Sequence, residues 1–423
     1  MALNLILIEP YKSAVHSFQD AAHFFSASTA RTPADPRVQR ISIVIGQTRL
    51  LNFNFATRLF LLGEGLKYLV IALLKLIPII NVLFHKIFKS YNCPSNAIKA
   101  ASTYENSPLK NFSTNAQAKI QSYSISAVEA ISSVNSDTQA EFNLIIELTN
   151  QEITKENGFA RFVDSSQPCK DRYEKFRPYR HNYFGNNKGE HYLSACKIKT
   201  VQQAYVATQA PIYNEANLAD TVADFFSAIL KSCSSTIVTL VMPTEDGKVK
   251  SAHYWSQANL PLQLEDGTVI KFGGETVVKM SSVSSGNQQQ RIMKRTFIAK
   301  KANEPARVLT QFHYENWPDY GIPKDDLYND FVKVVNNHQD TKGAIFVHCH
   351  AGVGRTGTFI ATHSLEKKIS AALKEGKTLK DIQINFVQHI LELRTQRGND
   401  FVSTKKQYDF FKHYIRQRFA LKQ

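Results

Sequence analysis

An α/β fold is predicted for the last two thirds of this chain by two observations. Apolar runs of strand length, residues 236–242 and 343–347, intermix with stretches of helical period, residues 142–148, 221–230 and 356–373. The mixture persists from about Glu141 almost to the end, with no visible internal repeat.

The chain in front of this region differs in character. Residues 1–40 are mixed. Between Pro36 and Ala100 stand nine Lys/Arg and one acid, Glu64. The core of that stretch, residues 68–84, is apolar apart from Lys75, Pro78 and Asn81. Its apolar residues favour bilayer insertion by roughly 0.3–0.6 kcal/mol each, and one central lysine opposes it by about 3 kcal/mol. Pro78 and Asn81 oppose it further. The balance predicts a kinked helix or hairpin lying in or dipping into a membrane, with Arg58, Lys67, Lys86 and Lys89 near the headgroups. The competing reading is a buried helix of a small accessory domain. Residues 1–100 are therefore assigned to a mainly helical or partly disordered N-terminal region, in which residues 57–90 are the candidate for contact with an anionic membrane surface. Residues 101–138 are rich in Ser, Asn, Ala and Thr, with one proline, Pro108, and read as a linker with some helix in its second half.

The 423 residues carry a formal net charge of +15, which favours negatively charged partners. No stripe of basic and aromatic residues marks a nucleic-acid module, so nucleic acid is set aside as a partner. The five cysteines, Cys93, Cys169, Cys196, Cys233 and Cys349, are odd in number and scattered, with no CxxC pair. That usage predicts no zinc site and a reducing or cytoplasmic compartment. The first thirty residues lack the pattern of a signal peptide.

The chemistry concentrates in His348-Cys349-His350-Ala351-Gly352-Val353-Gly354-Arg355-Thr356-Gly357. An apolar strand precedes it and a helical pattern follows. A tight loop of small residues between strand and helix turns backbone N–H groups inward and makes an anion cradle. A thiol at a helix N-terminus, beneath those N–H groups and near Arg355, is expected to ionise and attack phosphorus. The planar fork of Arg355 matches two phosphate oxygens. Thr356 is placed to donate its hydroxyl to the sulfur and ease its departure. Phosphoryl transfer also needs a proton for the leaving oxygen. Trp317-Pro318-Asp319-Tyr320-Gly321-Ile322-Pro323 supplies it: Asp319 sits on a loop bracketed by Pro and Gly, with Trp317 as anchor, as suits a mobile flap.

These two motifs together resemble the cysteine-dependent, phosphotyrosine-specific protein phosphatases, over roughly residues 139–418 and in family order. The segments Lys170-Asp171-Arg172-Tyr173, Tyr192-Leu193-Ser194-Ala195, Tyr205 to Pro211, Lys250 to Trp255 and Phe312-His313-Tyr314 agree. The resemblance implies a twisted mixed central sheet flanked by helices, no cofactor and no metal. It implies a cysteinyl-phosphate intermediate, with Asp319 as acid and then base, and phosphotyrosine proteins as partners. The loop residues His350, Ala351, Gly352, Val353, Gly354 and Arg355 would bind the phosphate, with His348 in support. Tyr173 resembles the tyrosine that stacks on the substrate ring; the competing reading is a core tyrosine. Glu245 resembles by position the acid that orients the arginine; the competing reading is a solvated turn charge. Gln407 matches one of two glutamines that position the hydrolytic water, and Ser403 stands at the other.

Three departures bear on function. Ser403 reaches less far than glutamine, which predicts slower hydrolysis of the intermediate. Lys175 stands where the family often has an acid that grips the peptide backbone, which suggests tolerance of acidic substrates. His350 follows the nucleophile where serine is usual; its charging would favour anion binding, against the plainer reading of a solvent-facing histidine. A bulky residue after the nucleophile, and the spacing from Arg397 to Ser403, resemble phosphatases that bacteria inject into host cells, with the basic front region serving delivery or membrane targeting. The alternatives to a tyrosine phosphatase are a phosphoinositide phosphatase and a catalytically weak phosphotyrosine-binding module.

Overall fold

The computed structural model describes residues 108–132, 137–153, 159–161, 168–185, 192–281, 289–338 and 343–420. Residues 57–90, the expected membrane-contacting stretch, lie outside them, as does the rest of residues 1–107. Among the described residues no helix is long and apolar enough to cross a membrane.

The described chain opens on helix α1 (Thr114–Gln121), strand β1 (Ile125–Ser126), helix α2 (Ala127–Ser132) and helix α3 (Thr138–Leu148). The expectation of a linker over 101–138 needs correction here. Leu109, Phe112, Ala116, Ile120, Ala127, Ala130 and Ile131 are buried in the main core, and β1 pairs with Gln383–Ile384. The segment looks polar because its apolar side chains are sparse. Three of the buried ones are alanines, whose size permits close backbone approach.

Next come β2 (Ala195–Lys199), β3 (Ala204–Thr208), α4 (Val222–Lys231), β4 (Thr236–Thr239), and a small hairpin of β5 (Thr244–Glu245) and β6 (Lys248–Val249). Strands β7 (Leu262–Gln263), β8 (Val269–Met280), β9 (Arg291–Lys300) and β10 (Arg307–Glu315) follow, then α5 (Asp325–Asn337). The chain closes with β11 (Ile345–His348), α6 (Gly354–Lys374), β12 (Gln383–Ile384), α7 (Phe386–Arg397) and α8 (Lys405–Ala420).

The main sheet has eight strands in the order β2-β3-β11-β4-β10-β9-β8-β7. The pairs β3–β11, β11–β4 and β4–β10 are parallel, and the outer pairs are antiparallel. This is the mixed sheet that the resemblance implies. The central strands are apolar on both faces because helices cover both. In β3, Tyr205 and Ala207 face one core while Ala204 and Val206 face the other; in β11, Ile345 and Val347 oppose Phe346. Helices α3, α5, α6, α7 and α8 fill the first face, and α4, through Phe225, Phe226 and Ile229, the second. The four parallel strands point the same way, so the loops after β3, β11, β4 and β10 gather at one edge. Crevices at the carboxyl ends of such strands are where α/β sheets bind ligands.

Candidate active site

Cys349 stands at the carboxyl end of β11 and is 4% exposed. The loop from it to α6 is shaped by what grips its carbonyls. His348 Nδ1 donates to the Cys349 carbonyl (3.2 Å) and the Ala210 N–H to that of His350 (2.9 Å). Arg397 donates from Nη2 to Ala351 (3.3 Å) and from Nε to Gly352 (3.2 Å). The Gly357 N–H reaches the carbonyl of Val353 (2.8 Å). A planar trans peptide turns its N–H opposite to its C=O. Five carbonyls held from outside therefore turn the N–H groups of residues 350–354 inward, as an anion cradle requires. Gly352 has φ +72°, and a Cβ there would come within 2.2 Å of the Thr208 carbonyl oxygen, so only glycine fits.

Arg355 lies in the first turn of α6, fully buried, and its fork faces Glu245: Nη1 to Oε1 is 2.6 Å and Nη2 to Oε2 3.0 Å. Nη1 also donates to the Trp317 carbonyl (2.9 Å) and Nη2 to Asp319 Oδ1 (3.2 Å). Burial opposes its charge, but its hydrogen bond to Glu245, then the charges of Cys349, Glu245 and Asp319, hold its pKa above the ordinary arginine value. Glu245 is thus paired with Arg355 and is not a solvated turn charge.

The Asp319 flap is seated on this arginine. Trp317 is buried against Tyr314 and Tyr328, and its Nε1 donates to the Gly321 carbonyl (3.1 Å). Thr404 Oγ1 donates to the Tyr320 carbonyl (3.4 Å) and Gln407 Nε2 to that of Gly321 (3.4 Å). Asp319 Oδ2 accepts from Lys250 Nζ (3.1 Å). Burial pushes the Asp319 carboxyl up, but Arg355 and then Lys250 outweigh it and hold it below the usual aspartate value.

Tyr173 is 41% exposed, with its hydroxyl beside His350 of the loop, which removes the reading of a core tyrosine. Its segment is pinned from behind: Gln209 Oε1 accepts from the Arg172 N–H (3.0 Å), and Arg177 pairs with Asp171 (2.9 Å). Lys175 lies over the Phe176 ring, 4.5 Å from its centroid.

His350 corrects both readings made of it. It does not face solvent: Nδ1 donates to the Lys250 carbonyl (2.6 Å), and Tyr173 OH lies 3.0 Å from Nε2. It does not carry charge at neutral pH either. Burial first, then Arg172, Lys250 and Arg355, bring its pKa to about 4. Burial also brings His348 to about 4, and its neutral ring accepts at Nε2 from Tyr254 OH (2.9 Å).

Ser403 and Gln407 stand over the first turn of α6. A Cβ on Gly354 would lie 3.0 Å from Ser403 Oγ and 3.3 Å from the Gln407 amide. Ser403 Oγ donates to the Asp400 carbonyl (2.7 Å). Thr356 departs from expectation. Its Oγ1 is buried, forms no hydrogen bond to Cys349, and has no partner among the described residues. Two further residues escaped the sequence reading: Arg397, which props the loop, and Lys250, which holds Asp319. Both lie inside recognised segments, and an arginine closing a buried helix was the available signal for the first.

The sequence pattern described as "Protein-tyrosine phosphatase" matches residues 167–417. The tyrosine-protein phosphatase corkscrew of Drosophila melanogaster is 30% identical over 232 residues, covering 52% of this chain and 25% of that protein. Tyrosine-protein phosphatase 2 of Dictyostelium discoideum is 30% identical over 209 residues, 49% of each chain. Tyrosine-protein phosphatase non-receptor type 12 of Homo sapiens is 34% identical over 266 residues, 59% of this chain and 30% of that one. The chain thus spans between a quarter and a half of these relatives. A solved structure titled "Structural basis of PTPN18 fingerprint on distinct HER2 tyrosine phosphorylation sites" superposes with a TM-score of 0.55 at 25% identity, covering 70% of this chain and 100% of that one. With the cradle, the arginine fork and the acid flap assembled at one sheet edge, this chain belongs to the protein-tyrosine phosphatase family.

Proposed function

We propose that this protein hydrolyses phosphotyrosine in proteins in two steps through Cys349. The thiolate attacks phosphorus and forms the P–S bond as the aryl P–O bond breaks. Asp319 gives its proton to the leaving phenolate oxygen, while Arg355 and the inward N–H groups of residues 350–354 take the phosphoryl oxygens. Water then attacks the cysteinyl-phosphate and gives its proton to Asp319. The P–S bond breaks, and inorganic phosphate and thiolate are released. The buried Thr356 hydroxyl, without a hydrogen-bond partner among the described residues, would serve the sulfur when charge returns to it.

One observation carries the reading: Arg355, six residues after the nucleophile, holds Glu245 and Asp319 at once. An incoming phosphate competes for the Nη2 that Asp319 now occupies. Losing that partner lets the Asp319 carboxyl rise toward its ordinary range and carry the proton that the first step needs. The exposed Tyr173 favours an aryl ester over a phosphoinositide headgroup by offering a ring to stack on. Steady-state phosphate release from a phosphotyrosine peptide, beside a soluble phosphoinositide, tests this. Turnover of the peptide supports the proposal; turnover of the lipid headgroup alone, or capture without turnover, overturns it.

The proposal extends to location. The basic, apolar stretch 57–90 would hold the enzyme at an anionic membrane surface in a reducing compartment, including that of a host cell into which it is delivered. Co-sedimentation of the full chain with vesicles containing phosphatidylserine, but not with neutral ones, is the expected result; equal pelleting with both, or with neither, counts against it.

A further inference from the structure

The imidazole of His350 joins two walls of the cleft that are distant in sequence. Nε2 meets the Tyr173 hydroxyl at 3.0 Å, across 177 residues, and Nδ1 meets the Lys250 carbonyl at 2.6 Å, across 100. The chemistry fixes the roles. A carbonyl only accepts, so Nδ1 carries the proton. In a neutral ring Nε2 then only accepts, so the Tyr173 hydroxyl donates to it. The ring also meets Tyr173 edge-on, with centroids 5.6 Å apart. On the far side, the residue whose carbonyl it grips sends its ammonium to Asp319 at 3.1 Å. The backbone of His350 is itself anchored, since its carbonyl accepts from Ala210 N–H. Tyr173 is 41% exposed; its ring also meets Phe176 edge-on, with centroids 5.6 Å apart, while its hydroxyl bonds to His350.

We infer that His350 is a positioning residue, which sets the spacing between the aromatic wall at Tyr173 and the Lys250–Asp319 pair and thereby preorganises the cleft for an aryl phosphate. Its backbone N–H belongs to the phosphate cradle, but its imidazole acts through Tyr173 and Lys250. The inference rests on the proposed hydrolysis of phosphotyrosine. A free Tyr173 pays conformational entropy when it closes on a substrate ring, and the bond to Nε2 removes that cost in advance.

The test is a double-mutant cycle read on a phosphotyrosine peptide. His350→Ala and Tyr173→Phe should each raise KM roughly three- to tenfold, the worth of one hydrogen bond, with a smaller effect on kcat. The double variant should lose little more than either single one, because both remove the same bond. His350→Gln should restore much of the loss, since one amide can donate to the Lys250 carbonyl and accept from Tyr173. Additive losses, or a glutamine variant as poor as the alanine one, would overturn the inference. If His350→Ala does not fold, Tyr173→Phe and His350→Gln test the same bond from either end. Failure of the wild-type protein to turn over the peptide would refute the functional proposal instead, and is read separately in the same assay.

Discussion

Arg355 and Glu245 meet as a two-pronged pair, Nη1 to Oε1 at 2.6 Å and Nη2 to Oε2 at 3.0 Å, and the arginine is buried. The acid comes from the β5–β6 hairpin and the base from the first turn of α6, so two loops at the sheet edge are locked by one guanidinium. A planar fork held on one side presents a fixed orientation to a phosphate on the other. Replacing Glu245 with Ala leaves a buried charge short of its main partner and frees its rotation. The expected outcome is a fall in kcat/KM on the order of 10²-fold, together with a lower melting temperature, measured by phosphate release and thermal denaturation.

Asp319 supplies the proton on the leaving oxygen. Asp319→Asn keeps the shape but cannot give a proton, so kcat on a phosphotyrosine peptide should fall by about 10²–10⁴-fold. The loss should shrink for an aryl phosphate whose phenol is much more acidic, because such a leaving group needs no proton. Equal losses on both substrates would remove Asp319 from the acid role.

Lys250 holds the Asp319 carboxyl down, second to Arg355. The proton-bearing acid is the active form in the first step, and it is lost as pH rises through the Asp319 pKa. Lys250→Met removes a lowering influence, so the limb of the kcat/KM profile that Asp319 controls should move to higher pH. A shift to lower pH would contradict the assigned ion pair.

Buried histidines set the acid side of stability. His348 and His350 titrate at about 4 and His389 at about 3, all chiefly through burial, against an ordinary value of 6.5. Between those values the unfolded chain binds more protons than the folded one. Their contribution is therefore complete above about pH 6.5 and is lost as pH falls toward 4. Melting temperatures recorded from pH 7 to pH 4 should decline steadily over that window.

Much of this was legible in the chain. The strand–loop–helix around Cys349 could be read because a short apolar run, small loop residues and a helical period follow one another without interruption, and the observed β11 and α6 begin within two residues of the expected bounds. The loop that brings Asp319 to Arg355 could be located from its own Trp, Pro and Gly residues. The packing of residues 108–132 was not legible, since burial of alanines leaves no periodic signal. The long antiparallel strands β8 and β9 were equally hidden, because residues 275–280 of β8 are solvent-exposed and Gly273-Gly274 interrupt its middle. The role of His350 was misread for a different reason. Its neutrality follows from burial among Arg172, Lys250 and Arg355, which meet only in three dimensions.

Ser403 uses its hydroxyl proton on the Asp400 carbonyl, which leaves it only an acceptor for a hydrolytic water. Slow breakdown of the intermediate follows, seen as a burst of phenol before steady turnover. Ser403→Gln should raise the steady rate by roughly two- to tenfold, the worth of about one hydrogen bond, and shrink the burst. No burst in the wild-type protein would contradict this account.

The most direct measurement is capture of the phosphoryl group itself. Rapid acid quench of the enzyme turning over a phosphotyrosine peptide, followed by peptide mass spectrometry, should place phosphate on the sulfur of Cys349 and nowhere in Cys349→Ser, which should also release none. Turnover that survives Cys349→Ser, or phosphate found on another residue, would contradict attack by this thiolate.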